Sequence, residues 1–551
     1  MKIETSWVQP PQSIGGLDHL GTQAPCVLIY GQLLPGITNV TDRARYYSFY
    51  PWLIWSYDLR YSKDDAVRFV EFFRRADCLF TLISERHARI TDHDNERHGV
   101  AMVGRLKLVS ALNRLASGQA LVLSDFTSQE SPTRYFMNPM GGLAQYYAGT
   151  LSDLNLMDGT GRPWFKNTRE YGVPLADKVD EFVPGDRFWA VVEADQVSLD
   201  DLDALSSFCA CRIPESHEEC RTLTEIYFDS LNIYDDEGRH RRCSLALIQK
   251  LVDSLPDGCD LTEAVFRACA YSGALPGVQP WVVPERLAVT RENWAIYVRN
   301  DLLSVACQTI LAISLRELQP QNSAELRAFS TVESFTAWFT ASQESAFVAG
   351  GFDGATFSDF LDRIADRVPP LAAWEQQSHE IQLGRNLLEG WNRGDPSEAL
   401  IARVLSLLGT LIARDDDPSQ NPYGGLAVDK DSLHDYPINL LTLRQRALKW
   451  RTMTLPDALS DLVAWCLNTH LRVALRKLRQ TGRSTFHLRP SERGLEVVGT
   501  EIPPPAPTSP RFSPAVQILR DIGALARDVT TPNRQTRLTP AGRQLMEAAC
   551  A

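Results

Sequence analysis

The stretch of sequence that decides the fold is LLPGITNVTDRARYYSFYPWLIWSYDLR, residues 33–60. The segment LPG near its start is typical of a turn, and Thr41 followed by Asp42 indicates the start of a helix. Pro51 lies inside that helix, where its ring removes one backbone hydrogen bond. The aromatic residues that follow the start are Tyr46, Tyr47, Phe49, Tyr50, Trp52 and Trp55. They occupy every face, and because a helix that is apolar all round is buried, the stretch predicts a central core helix.

Two arginines at the start of this helix do not fit an apolar core, because a guanidinium group is seldom buried without a partner. Arg43 and Arg45 either clamp a carboxylate of the acidic part of the chain, residues 1–440, or bind a phosphate or a base of a ligand. Structural ion pairs are common, which favours the internal carboxylate. Together with Tyr46, these residues form a predicted ligand or structural clamp.

The same region carries a resemblance. The segment GLDHLG, residues 16–21, followed by LLPGIT and TDRARYYSFYPWLIW, resembles the N-terminal signature of a family of uncharacterised bacterial proteins. Members of that family share a D-x-LG segment, a PG-(I/T)-(T/S) turn and a T-x-RARY-x-x-F motif, and the match covers residues 15–60. Such proteins are often encoded near helicases and nucleases in mobile or anti-phage gene clusters. The resemblance therefore implies a context of antiviral defence and a helicase or nuclease partner, but no activity.

The composition predicts a soluble, cytoplasmic protein of several domains. A chain of 551 residues exceeds a single hydrophobic core, and 44% hydrophobic with 23% charged residues is typical of globular proteins. The sequence begins without a signal-peptide pattern, and it has no uncharged apolar run of about 18 residues, so no membrane contact is expected. An odd number of cysteines, eleven, in such a chain predicts reduced thiols.

Helical periodicity predicts a mainly α, multi-domain fold with small β elements. We expect an N-terminal helical domain at 1–150, an acidic and mostly helical region at 151–440 that has room for two domains, and a basic C-terminal domain at 441–551. Residues 499–514 contain six prolines and predict a linker, and residues 483–500 predict a short hairpin. Ser198 with Asp201, and Ser216 with Glu219, match the capping-box pattern of a helix start.

Two segments share an order of features. Residues 151–179 and 519–546 each have a helix, a polar turn-rich insert, a threonine, a glycine and a leucine three residues after that glycine. The second segment resembles the strand-to-helix edge of winged-helix domains, with Thr539 as the cap and Pro540 at the first helical position. The sequence therefore predicts winged-helix-like segments near 151–179 and 519–546.

Two clusters contain residue types that bind metals. Residues 85–99 include His87, Asp92, His93 and His98, but their spacing matches no HExxH-like signature, and a polar helix exit is the favoured interpretation. A second set of thiol and imidazole ligands suits zinc, although Cys-x-Cys is tighter than the usual spacing. This set comprises Cys209, Cys211, His217, Cys220 and Cys243. Phosphate-binding loops and nucleophile-elbow motifs are absent from the sequence, so we expect no cofactor, and a non-catalytic protein is favoured over an enzyme.

The strongest functional pattern lies in residues 456–482. Thr454 is a predicted cap and Gly482 a predicted helix end. The apolar stripe is predicted to comprise Leu462, Trp465, Cys466, Leu471, Leu475 and Leu478. The predicted nucleic-acid-binding residues are Arg472, Arg476, Lys477, Arg479, Arg483, Arg489, Arg493, Arg534 and Arg537.

Four of these arginines fall at offsets 0, 4, 7 and 11 from position 472, on one helix face. Residues 441–551 carry a net charge of +9 and the rest of the chain −21. Such a stripe suits a phosphate backbone, and it equally suits docking onto an acidic protein surface.

Three functional hypotheses follow. The leading one is a non-catalytic, DNA- or RNA-associated component of a bacterial defence or DNA-processing assembly that works beside a helicase or nuclease. The second is a metal-dependent nuclease that uses the 87–98 cluster. The third is a protein–protein scaffold that binds no nucleic acid.

Overall fold

The computed structural model describes residues 18–61, 65–91, 102–116, 121–159, 165–319, 329–344, 347, 354–415, 421–428, 433, 436–492, 494–528 and 534–551. Its helices are α1 (Gln23–Leu33), α2 (Ala44–Arg60), α3 (Ala66–Thr91), α4 (Arg105–Ala116), α5 (Ser124–Thr127), α6 (Ala148–Asp153), α7 (Gly172–Asp180), α8 (Gly185–Ala194), α9 (Leu199–Ala204), α10 (His217–Phe228), α11 (Asp235–Ser254), α12 (Glu263–Ser272), α13 (Glu285–Leu318), α14 (Val332–Ser342), α15 (Phe357–Ala365), α16 (Glu380–Arg393), α17 (Ser397–Arg414), α18 (Leu440–Trp450), α19 (Leu455–Thr481), α20 (Phe512–Asp521) and α21 (Pro540–Cys550). Its strands are β1 (Leu121–Val122), β2 (Met157–Asp158), β3 (Lys166–Asn167), β4 (Gln196–Val197), β5 (Ala274–Leu275), β6 (Gln279–Pro280), β7 (Leu488–Ser491), β8 (Gly494–Val497), β9 (Leu525–Arg527) and β10 (Thr536–Leu538).

The prediction of a mainly helical fold with small β elements is confirmed. Helices account for 64% and strands for 6% of the structure. Throughout the described ranges, the strands pair two by two and antiparallel, as β1–β4, β2–β3, β5–β6, β7–β8 and β9–β10. The β7–β8 hairpin lies within the segment 483–500 where the sequence predicts one. Helix packing therefore forms the core.

The chain divides into two compact units, each built from segments that are distant in sequence. Unit 1 comprises Met1–Tyr30, Ala264–Val282 and Arg291–Pro510, and unit 2 comprises Gly31–Glu263, Val283–Thr290 and Arg511–Ala551. This division differs from the three consecutive regions that the sequence predicts, because residues 441–510 and 511–551 fall in different units. The reason is long-range packing: Asp521 binds Arg43 within unit 2, a contact that a charge count along the chain does not detect.

Helix α2 lies at the centre of unit 2, and the prediction of a helix buried on all faces is confirmed. The helix continues through Pro51. The ring of Phe49 stacks on that of Phe80 of α3, with centroids 4.1 Å apart, and Trp52 meets Phe188 of α8 edge-on at 5.3 Å. Aromatic pairs of this geometry add to the free energy gained from area burial. The aromatic side chains of α2 therefore stabilise the packing of this helix against α3 and α8.

Two helix–hairpin–helix segments in unit 2 share one local structure. One consists of α6, β2, β3 and α7, and the other of α20, β9, β10 and α21. The hydroxyl of Thr168 donates a hydrogen bond to the carbonyl of Asn155 at 2.6 Å, and the hydroxyl of Thr539 donates to the carbonyl of Gly523 at 2.7 Å. Equivalent side chains therefore close equivalent turns in the two segments whose sequences share an order of features.

Each segment also has a glycine at a close backbone approach. A Cβ atom on Gly172 would lie 2.0 Å from the carbonyl oxygen of Leu156, and one on Gly542 would lie 1.9 Å from that of Ala524. No side chain fits at such distances without a shift of the backbone. The glycine after the threonine is thus required by packing in both segments.

The proline-rich segment at the end of unit 1 is extended, as its composition predicts, but it is docked rather than free. Residues 501–510 contain no helix or strand. Asp301 of α13 accepts hydrogen bonds from the backbone N–H of Thr508 at 2.8 Å and from its hydroxyl at 2.7 Å. Gln308 donates to the carbonyl of Ala506 at 3.1 Å. The segment is therefore fixed to α13, and the prediction of a linker is corrected to a packed strap.

Helix α13 is long and apolar enough to cross a membrane by length and composition. However, 83% of its most apolar 18-residue window is buried inside the protein. That burial is typical of the core helix of a soluble protein, so α13 gives little support to a membrane span.

One predicted capping box is present and the other is absent. The hydroxyl of Ser198 accepts from the N–H of Asp201 at 3.1 Å, and Asp201 bonds back to the N–H of Ser198, as predicted. Ser216 precedes α10 without a side-chain cap, so the second prediction is wrong. The carboxylate of Glu219 instead accepts hydrogen bonds from Arg45 and Ser48 in the core. The buried guanidinium of Arg45 thus binds the Glu219 carboxylate, which the capping-box pattern assigns to the backbone N–H of Ser216.

Candidate nucleic-acid interface

Helix α19 begins and ends where the sequence predicts. The hydroxyl of Thr454 accepts a hydrogen bond from the N–H of Asp457 at 3.2 Å, which satisfies one of the first unpaired amides. Gly482 adopts a left-handed conformation with φ 70°, and its N–H donates to the carbonyl of Leu478 at 2.9 Å.

The buried face of α19 differs in part from the predicted apolar stripe. Leu462 and Cys466 are buried, and the buried line continues through Val473 and Ala474. Leu475 is 42% exposed, so its assignment to the core face is wrong. The reason is helical phase: nine residues separate Leu475 from Cys466, which at 3.6 residues per turn is about half a turn off the buried line.

Three predicted nucleic-acid-binding residues lie exposed on the opposite face. They are Arg472, Arg479 and Arg483, the last just beyond the end of the helix. Among the residues that the structure describes, none forms an ion pair or a hydrogen bond with these guanidinium groups. Charges that are left unneutralised on one face attract anions, so this arginine face (Arg472, Arg479 and Arg483) is the principal candidate site.

The neighbouring basic residues of α19 have protein partners. The guanidinium of Arg476 lies over the ring of Tyr436, 4.6 Å from its centroid. The ammonium of Lys477 donates a hydrogen bond to the backbone carbonyl of Asp18. Burial lowers the pKa of Lys477, and the nearby Asp18 carboxylate partly offsets this effect. These two cations are therefore less accessible to a ligand than the arginine face.

Two further predicted residues, one on each of the hairpins β7–β8 and β9–β10, have acidic partners. Arg489 pairs with Glu496 across β7–β8 at 3.0 Å, and Arg537 on β10 pairs with Asp257 at 2.7 Å. Arg534 is exposed at the start of the β10 arm, and its backbone carbonyl accepts a hydrogen bond from a neighbouring arginine. Arg493 lies outside the described residues. Arg534 and Arg537 belong to unit 2, so the structure does not unite the predicted set into one basic domain.

An open groove of about 480 Å³ lies between α18 and α19 and shares Arg472 with the arginine face. Arg446 of α18 stacks over the indole of Trp465, 4.4 Å from its centroid. The groove is lined by Pro437, Thr442, Gln445, Arg446, Lys449, Asp461, Ala464, Trp465, Asn468, Thr469 and Arg472. Cations outnumber carboxylates among these residues, so the groove extends the positive face along the helix.

One carboxylate holds the cations of this groove in place. Asp461 accepts hydrogen bonds from Lys449 at 2.9 Å, from the indole N–H of Trp450 at 2.8 Å, and from Arg446. Burial opposes ionisation of Asp461, but these three donors outweigh it and lower the pKa of the carboxyl group below its usual value. The groove therefore carries a fixed negative charge surrounded by oriented cations at neutral pH.

The predicted clamp residues are in the protein interior. Arg43 donates from Nε and Nη2 to the two carboxylate oxygens of Asp521, both at 3.0 Å, and Arg45 donates from Nη1 to Glu219 at 2.8 Å. All four side chains are almost fully buried. Glu219 lies in the acidic region where the sequence places the partner, whereas Asp521 lies outside it. These contacts fit the internal-carboxylate interpretation rather than ligand binding.

Tyr46 is fully buried beside them, and its hydroxyl accepts a hydrogen bond from the backbone N–H of Val103 at 3.0 Å. Burial and the nearby Asp77 carboxylate raise the pKa of Tyr46 far above its usual value. Tyr46 is thus a neutral core residue.

The structure joins parts of the two predicted metal clusters. His87 lies near the end of α3, and its Nδ1 is 3.4 Å from the Sγ of Cys211, next to Cys209. Asp92, His93 and His98 lie outside the described residues. The other thiol and imidazole groups of the second cluster, those of His217, Cys220 and Cys243, are not part of this group. Sequence spacing treats the clusters as separate because 122 residues separate His87 from Cys209.

No protein-family model, curated protein or solved structure matches this chain. The function therefore has to be inferred from the contacts, burial and charges described above.

Proposed function

We propose that this protein is a non-catalytic, nucleic-acid-associated component of a cytoplasmic assembly, in which the arginine face and the adjoining groove bind a phosphate backbone. The observation that carries this proposal is the set of three exposed guanidinium groups without ion-pair partners in the described structure, at Arg472, Arg479 and Arg483. Elsewhere in the molecule, local carboxylates neutralise arginines such as Arg489 and Arg537. A positive face left unpaired is the arrangement that favours a polyanion.

The spacing of the face suits a nucleic-acid strand. Arg472 and Arg479 are seven residues apart, which corresponds to about 10 Å along a helix axis. That length equals the axial rise of about three nucleotides of one B-DNA strand, at about 3.4 Å each. Guanidinium groups bind phosphate oxygens with two parallel hydrogen bonds, which fixes orientation without reading sequence.

The resemblance of residues 15–60 to a defence-associated bacterial family supports placing this component in antiviral defence or DNA processing, beside a helicase or nuclease. The winged-helix interpretation of residues 519–546 adds a second candidate contact. In it, β9 and β10 form the wing and Arg534 stands at the base of its second strand. Two-stranded β-ribbons of DNA-binding proteins contact a groove of the duplex.

The test is a salt titration of duplex DNA and of RNA with the full-length protein. We expect affinity to fall steeply with salt, and the variant R472E/R479E/R483E to bind unrelated sequences more weakly by a similar factor. Its salt slope should drop by about three, roughly one per lost phosphate contact.

A matched control has the same change in net charge at other exposed positions of unit 1. The variant R363E/R385E/R393E replaces arginines that already have acidic neighbours, and none of them is a predicted nucleic-acid-binding residue. Its affinity should stay close to that of the wild type apart from a small nonspecific loss. Equal losses in both variants would assign the effect to net charge and contradict the arginine face. Absence of DNA and RNA binding at low salt would put the scaffold hypothesis first.

The non-catalytic part has a separate test. Linear and single-stranded DNA incubated with the protein and Mg²⁺ or Mn²⁺ should stay intact. Degradation that His93→Ala abolishes would establish the metal-dependent nuclease hypothesis instead.

A further inference from the structure

A group of three metal-ligand side chains lies in unit 2. The imidazole of His87 and the thiols of Cys209 and Cys211 place one ligand atom each within 4.8 Å of one another. His87 comes from α3. Cys209 lies between two consecutive 3₁₀ turns, Ser206–Phe208 and Ala210–Glu215, and Cys211 lies in the second; the first turn packs against α3. Cys209 has extended backbone angles, φ −59° and ψ 140°, and connects these turns.

The spacing of the atoms fits a tetrahedral ion. With Zn–S bonds of about 2.3 Å and Zn–N bonds of about 2.0 Å, a nitrogen and a sulfur ligand stand about 3.5 Å apart. The observed distance between His87 Nδ1 and Cys211 Sγ is 3.4 Å. The remaining pairs lie within 4.8 Å, against about 3.8 Å for two sulfur ligands, so metal binding requires these atoms to approach one another by at most about 1 Å.

The burial of these groups determines when the thiols lose their protons. Cys209 is fully buried, His87 is 5% exposed and Cys211 is half-buried, so the group lies at the margin of the core with one accessible edge. Burial disfavours a free thiolate, and the nearby Arg212 and Arg43 are paired with Glu215 and Asp521, so the thiols are expected to lose their protons as the metal binds. Two thiolates and a neutral imidazole with a divalent ion make a group of zero net charge, which is compatible with burial.

A carboxylate lies near the imidazole, outside the group. Asp203 interacts electrostatically with His87, and Arg86 holds Asp203 with two hydrogen bonds of 2.7 and 2.8 Å. Because Arg86 largely neutralises Asp203, its contribution to binding a cation is small.

We propose that His87, Cys209 and Cys211 bind one Zn²⁺ ion, with a fourth coordination position that none of the described residues fills and that water or a small ligand can occupy. Two sulfur ligands and one imidazole nitrogen are preferred by zinc over magnesium or calcium. Sites with three protein ligands and one open position are those in which zinc binds an exchangeable molecule, whereas purely structural sites have four protein ligands. Binding converts two thiols to thiolates and releases two protons to the buffer.

The experiment uses untagged full-length protein purified without chelators. We expect about one zinc per chain by mass spectrometry. Zn²⁺ added to chelator-treated protein should raise the melting temperature and release about two protons at neutral pH. Co²⁺ in place of Zn²⁺ should give sulfur-to-metal charge-transfer absorption, and azide should shift the visible bands if the fourth position is open.

The variants separate this site from other thiols. Cys211→Ser changes the half-buried ligand, and should weaken Zn²⁺ binding by more than about 100-fold, since loss of an outer-shell group alone weakens binding 10–100-fold. His87→Gln should have a similar effect. Cys220→Ser is the matched control, because Cys220 donates to the carbonyl of Ile522 at 3.4 Å and serine retains that donor. It should keep the metal.

Several results would overturn the proposal. A folded wild-type protein that takes up no Zn²⁺ and shows no change in melting temperature would do so. Equal loss of metal in Cys220→Ser and Cys211→Ser would assign binding to thiols in general. An unchanged Co²⁺ spectrum with azide, together with four protein ligands by X-ray absorption, would leave a closed structural site and contradict the open position.

Discussion

The arginines at the start of α2 and those along and just after α19 have opposite surroundings, although both helices have large apolar faces. Arg43 and Arg45 are fully buried and each binds a carboxylate. Arg472, Arg479 and Arg483 are exposed and, within the described residues, have no acidic partner. The spacing of arginines along a helix therefore predicts which face each one occupies. Whether it holds the fold or contacts a ligand depends on whether a distant carboxylate reaches it.

The largest expected effect is on the Arg43–Asp521 pair. Arg43→Ala leaves the carboxylate of Asp521 buried and unpaired, which costs about 3–5 kcal/mol in free energy of unfolding. Urea denaturation followed by tryptophan fluorescence measures this loss. The double variant R43L/D521L, which buries no charge, should be more stable than Arg43→Ala. If the double variant is less stable, the pair contributes more than mutual neutralisation.

A smaller effect is expected at the second buried pair. Glu219→Gln keeps the shape but removes the negative charge, and its one carbonyl oxygen replaces only one of the two carboxylate oxygens that accept from Ser48 and Arg45. Because a hydrogen bond to a charged group is worth about 1.5–3 kcal/mol, we expect a loss of about 2 kcal/mol in the same denaturation assay. An unchanged midpoint would mean that solvent or another group neutralises Arg45.

The buried face of α19 contains histidines that should make the stability of the protein depend on pH. On this face, Nε2 of His470 accepts a hydrogen bond from the backbone N–H of His487 at 3.0 Å. Its other ring nitrogen, Nδ1, donates to the backbone carbonyl of His19 at 3.1 Å. Burial lowers the pKa of His19 to about 3 and that of His470 to about 4, and it lowers the pKa of His487. The positive charge of Lys477 further lowers the pKa of His19 and of His470. The carboxylate of Asp18 interacts with that lysine.

The folded state therefore binds fewer protons than the unfolded state, whose histidines titrate near pH 6.5. The stabilisation is full above pH 6.5 and is lost as the pH falls towards 4. For His19 and His470 we expect about 2 kcal/mol of lost stability each at pH 5 relative to pH 7. His470→Gln, which can keep one donor and one acceptor, should flatten this dependence. A wild-type stability that does not change between pH 7 and 5 would contradict it.

The smallest expected effect is on the arginine face itself. Replacing Arg472, Arg479 and Arg483 by alanine should change the free energy of unfolding by less than about 0.5 kcal/mol each, since they are exposed and hold no carboxylate in the described structure. Thermal and urea denaturation at pH 7 check this. Loss of stability on the scale of Arg43→Ala would show that these residues hold the fold, and the contrast between the two groups would disappear.

Local patterns in the sequence predicted local structure well. The buried character of α2, the caps of α19 at Thr454 and Gly482, the Ser198 capping box and the β7–β8 hairpin all depend on residues close together in the chain. The predictions that were wrong depend on phase or distance. Leu475 is exposed because it lies about half a turn around the helix from Cys466, and Ser216 lacks its cap because Glu219 binds Arg45 on another helix.

The candidate sites show the same limit. The offsets of the arginines on α19 were visible in the sequence, but the partners that remove Arg476, Lys477, Arg489 and Arg537 from the set were not. The meeting of His87 with Cys209 and Cys211 depends on how α3 packs against two short turns. The useful signal was the chemistry of the two clusters, because each contained soft ligands but too few at a suitable spacing.

The Arg43–Asp521 pair also has a consequence in time. The two residues are separated by 478 positions, and a ribosome adds about 5–20 residues per second, so Asp521 is made roughly 25–100 seconds after Arg43. During that interval the guanidinium of Arg43 has no carboxylate partner with which it can be buried. The aromatic side chains of α2 therefore remain exposed as well. Exposed aromatic surface on a nascent chain attracts chaperones and other chains. The last folding step of unit 2 therefore comes at the end of synthesis, although its central helix is among the first segments made.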